Sequence, residues 1–350
     1  MTYKPWRLGD LDAVAPNGLR AISLFAGCGG SSLGYRRAGY RVVFANEFVP
    51  IAADTYKANC APYTVVDRKD IRGLDPEWIT KHFGEIDLLD GSPPCASFSQ
   101  AGKRSKDWGT AKLYSEGITQ RTDDLFDEYA RIVEGVKPRA FVAENVAGFS
   151  NGVAVGYARH ILNRLRAAGY KVEARVLDAC WLGVPQTRRR TYIVGVRDDQ
   201  GSHPRFPSPL PAQVGLGEAI PGCRGERAAL EYHGGAKGKG TRRSPKLPAH
   251  TLGATINSGS GWYPASIIFA DSKADPETGW SPSVAPRLRA EFATEHIRYM
   301  TLDELRRAFG FPDDFTLIGS FTQRWERIGR SVPPFVAEAI GRAVAGSLAA

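Results

Sequence analysis

Short apolar runs recur along the first 197 residues, and segments with helical spacing of apolar residues separate several of them. Short runs bounded by turn residues are typical of buried strands, and apolar positions three and four residues apart are typical of helices. The pattern predicts strands at 20–25, 41–45, 64–66, 86–90, 139–143, 171–177 and 191–197, and helices after residue 30 and at 125–136 and 157–168. We therefore expect an α/β domain in which helices cover both faces of a mostly parallel sheet.

The alternation stops at about residue 198. From there to about 297 the chain is rich in glycine and proline, and its pattern predicts short strands and loops. We expect two domains, with residues 1–197 forming the first and 198–297 the second. Residues 298–324 would link back to the first domain, and the segment 325–350, with a helix at 335–348, would complete it.

Polar or reactive residues follow successive predicted strands. They are the turn at 25–27, Glu47, Asp70, Cys95 and Glu144. The carboxyl ends of parallel strands meet at one edge of a sheet, where open α/β folds bind their ligands. A single acid at a strand end is more often a helix cap, and a single cysteine is more often a buried structural thiol. The series as a whole favours one functional cleft.

A glycine-rich turn separates the first strand from the helix that follows it. Glycine permits the sharp backbone turn and lets a ligand approach the main chain, and the helix amino terminus offers N–H donors. Glu47 ends the second strand, at about the distance from the glycines at which nucleotide-binding βαβ units place the acid that binds ribose hydroxyls. The combination favours a nucleotide-type cofactor.

Charge and cysteine content narrow the class of protein. The net charge of +9 suggests a polyanionic partner such as nucleic acid. Five cysteines, none of them in a C-x-x-C pair, argue against a disulfide framework and a thiolate zinc site, so we expect no metal. The amino terminus has no apolar signal core, and no apolar run is long enough to span a bilayer. We therefore expect a protein of the reducing cytoplasm that has no membrane partner.

Eight segments stand in a distinctive order: FAGCGG at 25–30, NE at 46–47, DI at 70–71, PCASFS at 94–99, ENV at 144–146, QTRRR at 186–190, FGFPDDF at 309–315 and GRSVPP at 329–334. In residues and in order they resemble the motifs of the C5 cytosine DNA methyltransferases. The resemblance runs from about residue 20 to the carboxyl end. It implies an S-adenosylmethionine-dependent enzyme with a Rossmann-like catalytic domain and a smaller target recognition domain.

The resemblance assigns the chemistry to five residues. Carbon 5 of cytosine is a poor nucleophile until a thiolate adds to carbon 6, and Cys95 would supply that thiolate. Glu144 would bind or protonate ring nitrogen N3, and Arg190 would contact the base oxygen O2. Asn145 would hold the Glu144 loop, and Arg188 would contact phosphate or the catalytic loop. A base inside a duplex is out of reach of such a thiol, so the nucleotide must be flipped out.

The implied cofactor is S-adenosyl-L-methionine. Phe25, Gly27 and Gly29 would shape the methionine end of its pocket, and Glu47 would bind the ribose hydroxyls. Phe48 would stack on the adenine, and Asp70 and the Ile71 backbone would bind the edge of the adenine. The rest of the implied cofactor site consists of Pro94, Leu125, Arg330 and Ser331.

The implied partner is double-stranded DNA. The basic segment 100–121 is polar and lacks a core-forming face, so we expect a lid that closes over DNA. A second basic stretch, 232–246, has no acid, and inside a recognition domain this composition favours phosphate contact over a solvated loop. The expected DNA contacts are Ser99, Lys103, Arg104, Lys237, Lys239, Arg242, Arg243 and Thr251.

Two residues depart from the family pattern. Ala96 follows Cys95 where the family often has glutamine, so one DNA contact is missing. Arg330 stands where the last motif normally has asparagine, and a cation beside a sulfonium is costly in a low-dielectric pocket. Arg330 would therefore turn outward to DNA phosphate, pair with a protein carboxylate, or bind an extra carboxylate on the cofactor. The third arrangement implies carboxy-S-adenosyl-L-methionine as the donor and 5-carboxymethylcytosine as the product, an alternative to plain methylation.

Other functions stay open at the level of sequence. A tRNA-methylating branch of the family uses the same catalytic residues, although a recognition domain of about 100 residues favours DNA. A DNA-binding relative without catalysis would lack Cys95 or Glu144, and both are present. A nicotinamide dehydrogenase would explain the glycines and Glu47 but would leave Cys95, Glu144 and Arg190 without a shared purpose. We expect a monomer of bacterial, archaeal or phage origin, for which a cognate restriction enzyme would be a further partner.

Overall fold

The structure is a computed structural model, and it describes residues 3–60, 62–94, 111–113, 119–122, 124–150, 155–220, 229–231, 241–244, 246–249, 251–253, 266–269 and 297–349. The chain folds into two compact units. The sheet unit comprises Leu11–Leu177, Arg189–Ser208 and Val336–Ala350, and the second unit comprises Met1–Asp10, Asp178–Arg188 and Pro209–Phe335. The boundaries expected from sequence, 1–197, 198–297 and 298–324, stay a prediction.

Most strands of the sheet unit belong to one large sheet. The strands in this part of the chain are β1 (Arg20–Leu24), β2 (Arg41–Asn46), β3 (Val65–Asp67), β4 (Leu88–Gly91), β5 (Ala111–Leu113), β6 (Thr119–Arg121), β7 (Ala140–Val146), β8 (Tyr170–Asp178) and β9 (Arg189–Arg197). Seven of them form a sheet in the order β3-β2-β1-β4-β7-β9-β8. The first five strands in this order run parallel to one another, and β9 runs antiparallel to β7. The expectation of a mostly parallel, Rossmann-like α/β fold is confirmed.

Helices alternate with these strands and continue to the carboxyl end. They are α1 (Gly30–Arg37), α2 (Pro50–Cys60), α3 (Pro76–Phe83), α4 (Leu125–Val136), α5 (Val155–Ala167), α6 (Leu216–Ala219), α7 (Leu302–Ala308), α8 (Phe321–Arg330) and α9 (Pro334–Leu348). Local sequence explains their ends. In α3, the Asp75 side chain accepts the N–H of Glu77 at 2.9 Å, Pro76 occupies the first turn, and Gly84 follows the last residue with a φ of 67°.

The two faces of the central strands carry different side chains. Ile22, Leu24 and Leu89 are fully buried in an apolar core that also contains residues of α3, α4 and α5. Successive residues of a strand point to opposite faces, so Ser23 and Asp90 point to the other face of the sheet. These two polar side chains are as deeply buried as their apolar neighbours. Helix α1 contacts both of them through polar side chains, since Ser31 approaches Ser23 and the Tyr35 hydroxyl donates to Asp90.

The last helix, α9, packs against α1 within the sheet unit. Arg37 and Glu338 form an ion pair, with 2.6 Å between Nε and Oε2. The Tyr40 hydroxyl donates to the carbonyl of Gly341 at 3.0 Å. A Cβ atom on Gly341 would lie 2.9 Å from the Tyr35 ring, so a glycine is needed for this close approach.

The second unit is built from short elements. Its strands within the described residues are β10 (Ala229–Glu231), β11 (Thr241–Arg243), β12 (Ser266–Phe269) and β13 (Ile297–Tyr299), which pair antiparallel in the order β11-β10-β12-β13. Helices α7 and α8 each begin with a capping box, in which Thr301 pairs with Glu304 and Ser320 pairs with Gln323. Short strands and loops are what the glycine- and proline-rich composition predicts for most of this region.

The structure differs from the predicted elements in several places, and β7, for example, continues to Val146 instead of ending at residue 143. Helices α2 and α3 are not among the predicted elements, because α2 has only a weak apolar stripe and α3 is short. Strand β4 begins at Leu88 and not at residue 86. The segment 100–121 is predicted as a loop, yet β5 and β6 pair antiparallel within it, because a two-stranded ribbon requires no apolar run. Among the described residues, no helix is long and apolar enough to cross a membrane.

Packing at Gly195 yields a test of the sheet. Gly195 on β9 pairs with Phe141 on β7, and a Cβ atom at Gly195 would lie 2.1 Å from the fully buried Phe141 ring. We expect Gly195→Ala to lower the free energy of unfolding by about 1–3 kcal/mol through overpacking. Gly156→Ala is the matched control, since α5 leaves open space there and alanine would stabilise it by at most about 1 kcal/mol. Chemical denaturation of both variants checks the prediction, and equal stabilities would contradict it.

Candidate active site

The turn after β1 has a backbone geometry that few residues tolerate. Phe25 has a φ of 52°, which is rare for a bulky residue, and Gly27 and Gly29 have φ values of 56° and 97°. A Cβ atom on Gly29 would also lie 3.1 Å from both Cys60 Sγ and the Tyr56 ring. Left-handed conformations at residues other than glycine cluster at ligand sites. The turn is thus held in a conformation that lets a ligand approach the backbone closely.

Glu47 ties this turn to the end of β2. Its Oε2 atom accepts the N–H of Gly27 at 2.7 Å, and its Oε1 atom accepts the N–H of Val49 at 2.8 Å. The side chain is buried, and the neighbouring Phe48 is half-buried. Two backbone donors hold the carboxylate in one orientation. Its contact with ribose hydroxyls stays a prediction.

Asp70 begins a 3-10 turn and already binds protein donors. Its carboxylate accepts the N–H of Arg72 at 3.0 Å, the Arg72 guanidinium at 3.0 Å and Gln120 Nε2 at 2.8 Å. Ile71 is buried, and its carbonyl accepts a hydrogen bond from Arg131 at 2.9 Å. These contacts order the loop after β3, and the adenine contacts expected of Asp70 and Ile71 stay predictions.

Asn145 links the ends of β7 and β4. Its Nδ2 atom donates to the carbonyl of Pro93 at 3.3 Å, and its Oδ1 atom accepts the N–H of Val146 at 2.8 Å. Pro94 is half-buried, and Cys95 follows it but lies outside the described residues. Asn145 therefore anchors the backbone two residues before the expected nucleophile.

Glu144 and Arg190 form an ion pair beside this anchor. The distance from Arg190 Nε to Glu144 Oε1 is 3.1 Å, and the two side chains are 19% and 13% exposed. The antiparallel register pairs Val146 with Arg190, so Glu144 lies diagonally across from Arg190 on the same face. The site thus presents a carboxylate and a guanidinium next to each other and largely shielded from water. Such a pair can bind adjacent nitrogen and oxygen atoms on the edge of a planar base.

The buried Arg188 side chain joins two segments of the second unit, and we call this set of contacts the Arg188 clasp. Its Nη2 atom donates to the carbonyls of Gly329 at 3.1 Å and Ser331 at 3.2 Å. The guanidinium also lies over the Phe309 ring, 5.2 Å from the centroid. Arg188 therefore holds the last turn of α8 and Ser331, which follows that helix. In this structure the guanidinium is directed at backbone carbonyls, and its contact with phosphate or the catalytic loop stays a prediction.

Arg330 lies at the end of α8 and contacts a protein carboxylate. The distance from its Nη2 atom to Glu326 Oε1 is 2.5 Å, and Glu326 is buried while Arg330 is exposed. Of the three arrangements expected for Arg330, the structure shows pairing with a protein carboxylate. The Ser331 hydroxyl donates to the carbonyl of Ile328 at 2.7 Å, which ends the helix.

Thr251 is exposed, and its hydroxyl donates to the carbonyl of Thr187 at 2.6 Å.

Several expected site residues have no described side chain. Cys95, Ser99, Lys103, Arg104, Lys237 and Lys239 lie outside the described residues, and Arg242 and Arg243 are described only as backbone of β11. Leu125 is described and is fully buried in the apolar core. Within the described part of the chain, no group of three or more His, Cys, Asp or Glu side chains could hold a metal ion.

Sequence reasoning missed two buried polar residues. Gln186 bridges the carbonyl of Ala308 at 2.9 Å and the N–H of Leu252 at 3.1 Å, and no local pattern reveals such distant partners. Asp90 is buried in β4 and is surrounded by hydroxyl groups. The run 86–90 contains two acids, Asp87 and Asp90, and an acid within an apolar strand is a visible signal of a buried polar group.

Comparison with known proteins gives a consistent result. The family model for C-5 cytosine-specific DNA methylase matches residues 19–346. The Type II methyltransferase M1.HphI of Haemophilus parahaemolyticus is 30% identical over 339 residues, which cover 93% of this chain and 86% of that protein. The Type II methyltransferase M.NgoPII of Neisseria gonorrhoeae is 28% identical over 361 residues, which cover 95% and 97%. The crystal structure of a Spodoptera frugiperda DNMT2 mutant has a TM-score of 0.66 at 18% identity and covers 93% of this chain and 99% of that one, a likeness of fold.

The Arg188 clasp yields a stability test. Arg188→Leu would leave the carbonyls of Gly329 and Ser331 without this donor, and we expect the free energy of unfolding to fall by about 1–3 kcal/mol. Arg189→Leu is the matched control, because Arg189 is exposed and exposed substitutions change stability by about 0.5 kcal/mol or less. Denaturant titrations of both variants measure the difference. An Arg188→Leu protein as stable as the control would show that the clasp contributes little.

Proposed function

Because the chain belongs to the C-5 cytosine-specific DNA methylase family, we propose that it transfers a methyl group from S-adenosyl-L-methionine to carbon 5 of cytosine in duplex DNA, through an adduct on Cys95. The observation that carries the proposal is the Glu144–Arg190 ion pair. It stands beside Asn145, which anchors the backbone two residues before Cys95. Three residues that the resemblance assigns to the base site therefore lie together in the part of the chain that the structure describes.

The Gly27–Gly29 turn suits the proposed cofactor. Gly29 precedes the first residue of α1 and has no side chain with which to cap it, and helix amino termini bind carboxylates such as that of a methionine moiety. Glu47 lies next to the turn and is held by backbone donors. When bound, the cofactor would supply an electrophilic methyl group. Glu47 would orient its ribose, and Phe48 would stack on its adenine.

The chain's own residues would carry the remaining chemistry. The Cys95 thiolate adds to carbon 6 of the flipped cytosine, and the electron pair of the 5,6 double bond moves toward carbon 5. Glu144 stabilises the developing charge by hydrogen bonding to N3 or protonating it, and Arg190 does so at O2. Once carbon 5 carries the methyl group, a base removes the proton from carbon 5. The electron pair of that C–H bond reforms the 5,6 double bond, and the Cys95 thiolate leaves carbon 6. The product is 5-methylcytosine, and Cys95 is regenerated.

The donor in this proposal is plain S-adenosyl-L-methionine. The Arg330–Glu326 contact gives the exposed guanidinium a protein carboxylate as partner, so an extra carboxylate on the cofactor is not needed to explain it. The acceptor in this proposal is DNA and not tRNA, because the family model that matches residues 19–346 is that of the C-5 cytosine-specific DNA methylases. A role in a restriction-modification system with a cognate restriction enzyme, a cytoplasmic location and a monomeric state also belong to the proposal.

The assigned catalytic residues give the first functional test. We expect Cys95→Ala to abolish methyl transfer and Glu144→Gln to lower kcat by at least about 100-fold, because proton donation or charge stabilisation at N3 is lost. Cys223→Ser and Glu173→Gln are matched controls at positions without a proposed role, and they should retain activity. Transfer of labelled methyl groups to duplex DNA measures all four. Full activity of Cys95→Ala would contradict the adduct mechanism.

The transferred group gives the second test. The protein should be expressed in a host that lacks cytosine methylation, and the nucleosides of its DNA and RNA should be measured by mass spectrometry. We expect 5-methylcytosine in DNA, and the same product from Arg330→Asn, because Arg330 pairs with Glu326. 5-Carboxymethylcytosine in wild-type cells would contradict the proposed donor. 5-Methylcytosine confined to tRNA would contradict the proposed acceptor.

A further inference from the structure

Asp90 is a buried carboxylate to which the proposed mechanism gives no role. It lies on β4, its side chain is 2% exposed, and Cys95 follows five residues later in the sequence. The parallel register places it directly opposite Ser23 on β1. A buried carboxylate is retained only where hydrogen bonds compensate for its lost hydration.

Three hydroxyl groups provide that compensation. The Tyr35 hydroxyl donates to Oδ1 of Asp90 at 2.8 Å, and the Ser23 hydroxyl donates to Oδ2 at 3.0 Å. The Ser31 side chain is hydrogen-bonded to Asp90 as well, and its Oγ atom lies 3.5 Å from that of Ser23. Ser23, Ser31 and Tyr35 are all buried. The ionised carboxylate therefore accepts hydrogen bonds from several sides.

These hydroxyls come from both sides of the glycine-rich turn. Ser23 precedes the turn on β1, and Ser31 and Tyr35 follow it on α1, one helical turn apart and hence on the same face of the helix. One carboxylate thus fixes the strand that enters the turn and the helix that leaves it. Because Asp90 belongs to β4, it also fixes both of them relative to the strand that leads to Cys95.

The charge state of Asp90 is sensitive to its surroundings. Burial raises the pKa of Asp90 to about 6, the hydrogen bonds from the three hydroxyls oppose this rise, and the nearby Glu144 charge adds to it. Burial and the Asp90 charge raise the pKa of Tyr35 well above its usual value, so its hydroxyl remains a donor. The groups that form hydrogen bonds with Asp90 are Ser23 on β1 and Ser31 and Tyr35 on α1. Two further groups interact with it electrostatically: Glu144 on β7, and Tyr129 on α4, whose pKa is raised by burial and by the Asp90 charge.

We infer that Asp90 is a positioning residue for the glycine-rich turn at 25–29. By holding Ser23, Ser31 and Tyr35, it would keep this turn in the conformation that binds S-adenosyl-L-methionine, next to the strand that leads to Cys95. The inference rests on the proposed function for the identity of the ligand. The ionised form is the effective one, because protonation turns one acceptor oxygen into a donor and forces a hydroxyl to reorient. Cofactor affinity should therefore fall as the pH drops through the range in which Asp90 becomes protonated.

Binding of S-adenosyl-L-methionine to the full chain, measured by calorimetry, tests this inference. At pH 7 we expect Asp90→Asn and Tyr35→Phe to raise the Kd by about 3- to 10-fold, the effect of losing one or two hydrogen bonds. In the wild type the Kd should rise between pH 7 and pH 5. In Asp90→Asn the Kd should not change over this pH range, so that the two proteins have about the same Kd at pH 5.

Matched controls separate this role from general stability. Tyr40→Phe removes a comparable buried hydroxyl, which bonds to Gly341, and Asp87→Asn changes an acid that lies just before β4. Both controls should bind the cofactor with the wild-type Kd and pH profile, even where they lower the Tm. Should Asp90→Asn fail to fold, Tyr35→Phe and Ser23→Ala carry the same test through the partner hydroxyls.

Three results would overturn the inference. If Asp90→Asn and Tyr35→Phe bind the cofactor within twofold of the wild type at pH 7, or if the wild-type Kd does not change with pH, Asp90 is only structural. If the wild-type protein binds no S-adenosyl-L-methionine at any pH, the proposed function fails and the inference fails with it. Measuring wild-type binding first distinguishes these cases.

Discussion

The reversed direction of a single strand brings the candidate base site together. The carboxyl ends of the parallel strands meet at one edge of the sheet, where open α/β folds bind their ligands. Residues at these carboxyl ends, such as Glu144 on β7, therefore reach this edge. Strand β9 runs antiparallel to β7, so its first residues reach the same edge. Arg190 is the second residue of β9 and for that reason meets Glu144 at 3.1 Å. In a fully parallel sheet the same arginine would lie at the opposite edge, and the ion pair could not form.

A second constraint is the use of buried polar side chains to orient backbone segments. Glu47 binds two backbone N–H groups, Asn145 binds the carbonyl of Pro93, and Arg188 binds two carbonyls at the carboxyl end of α8. A buried carbonyl or N–H that loses its partner costs more than the net contribution of a typical hydrogen bond. The glycine-rich turn, the segment after β4 and the end of α8 are therefore each oriented by a side chain that lies at least 20 residues away in the sequence.

The sequence predicts the fold well because the relevant signals are local. Alternation of apolar runs and helical spacing predicts the sheet, and the helix at 125–136 agrees with α4, Leu125–Val136. Candidate residues at strand ends, such as Glu144, follow from the same pattern. The burial of Arg188 could not be predicted, because its partners Gly329 and Ser331 lie more than 140 residues away. The environment of Asp90 also depends on three elements, since β1, β4 and α1 must pack before its hydroxyl partners can surround it.

The packing of α9 has a consequence for the biogenesis of the protein. The sheet unit begins near residue 11 but is completed by Val336–Ala350, which supply the ion pair between Glu338 and Arg37 and the carbonyl that binds Tyr40. The strands and helices of Leu11–Leu177 and Arg189–Ser208 therefore leave this face of α1 uncovered until Val336–Ala350 has folded onto it. A chain truncated before Val336 would expose the helix that follows the glycine-rich turn, so the sheet unit cannot be produced intact from its first 208 residues alone.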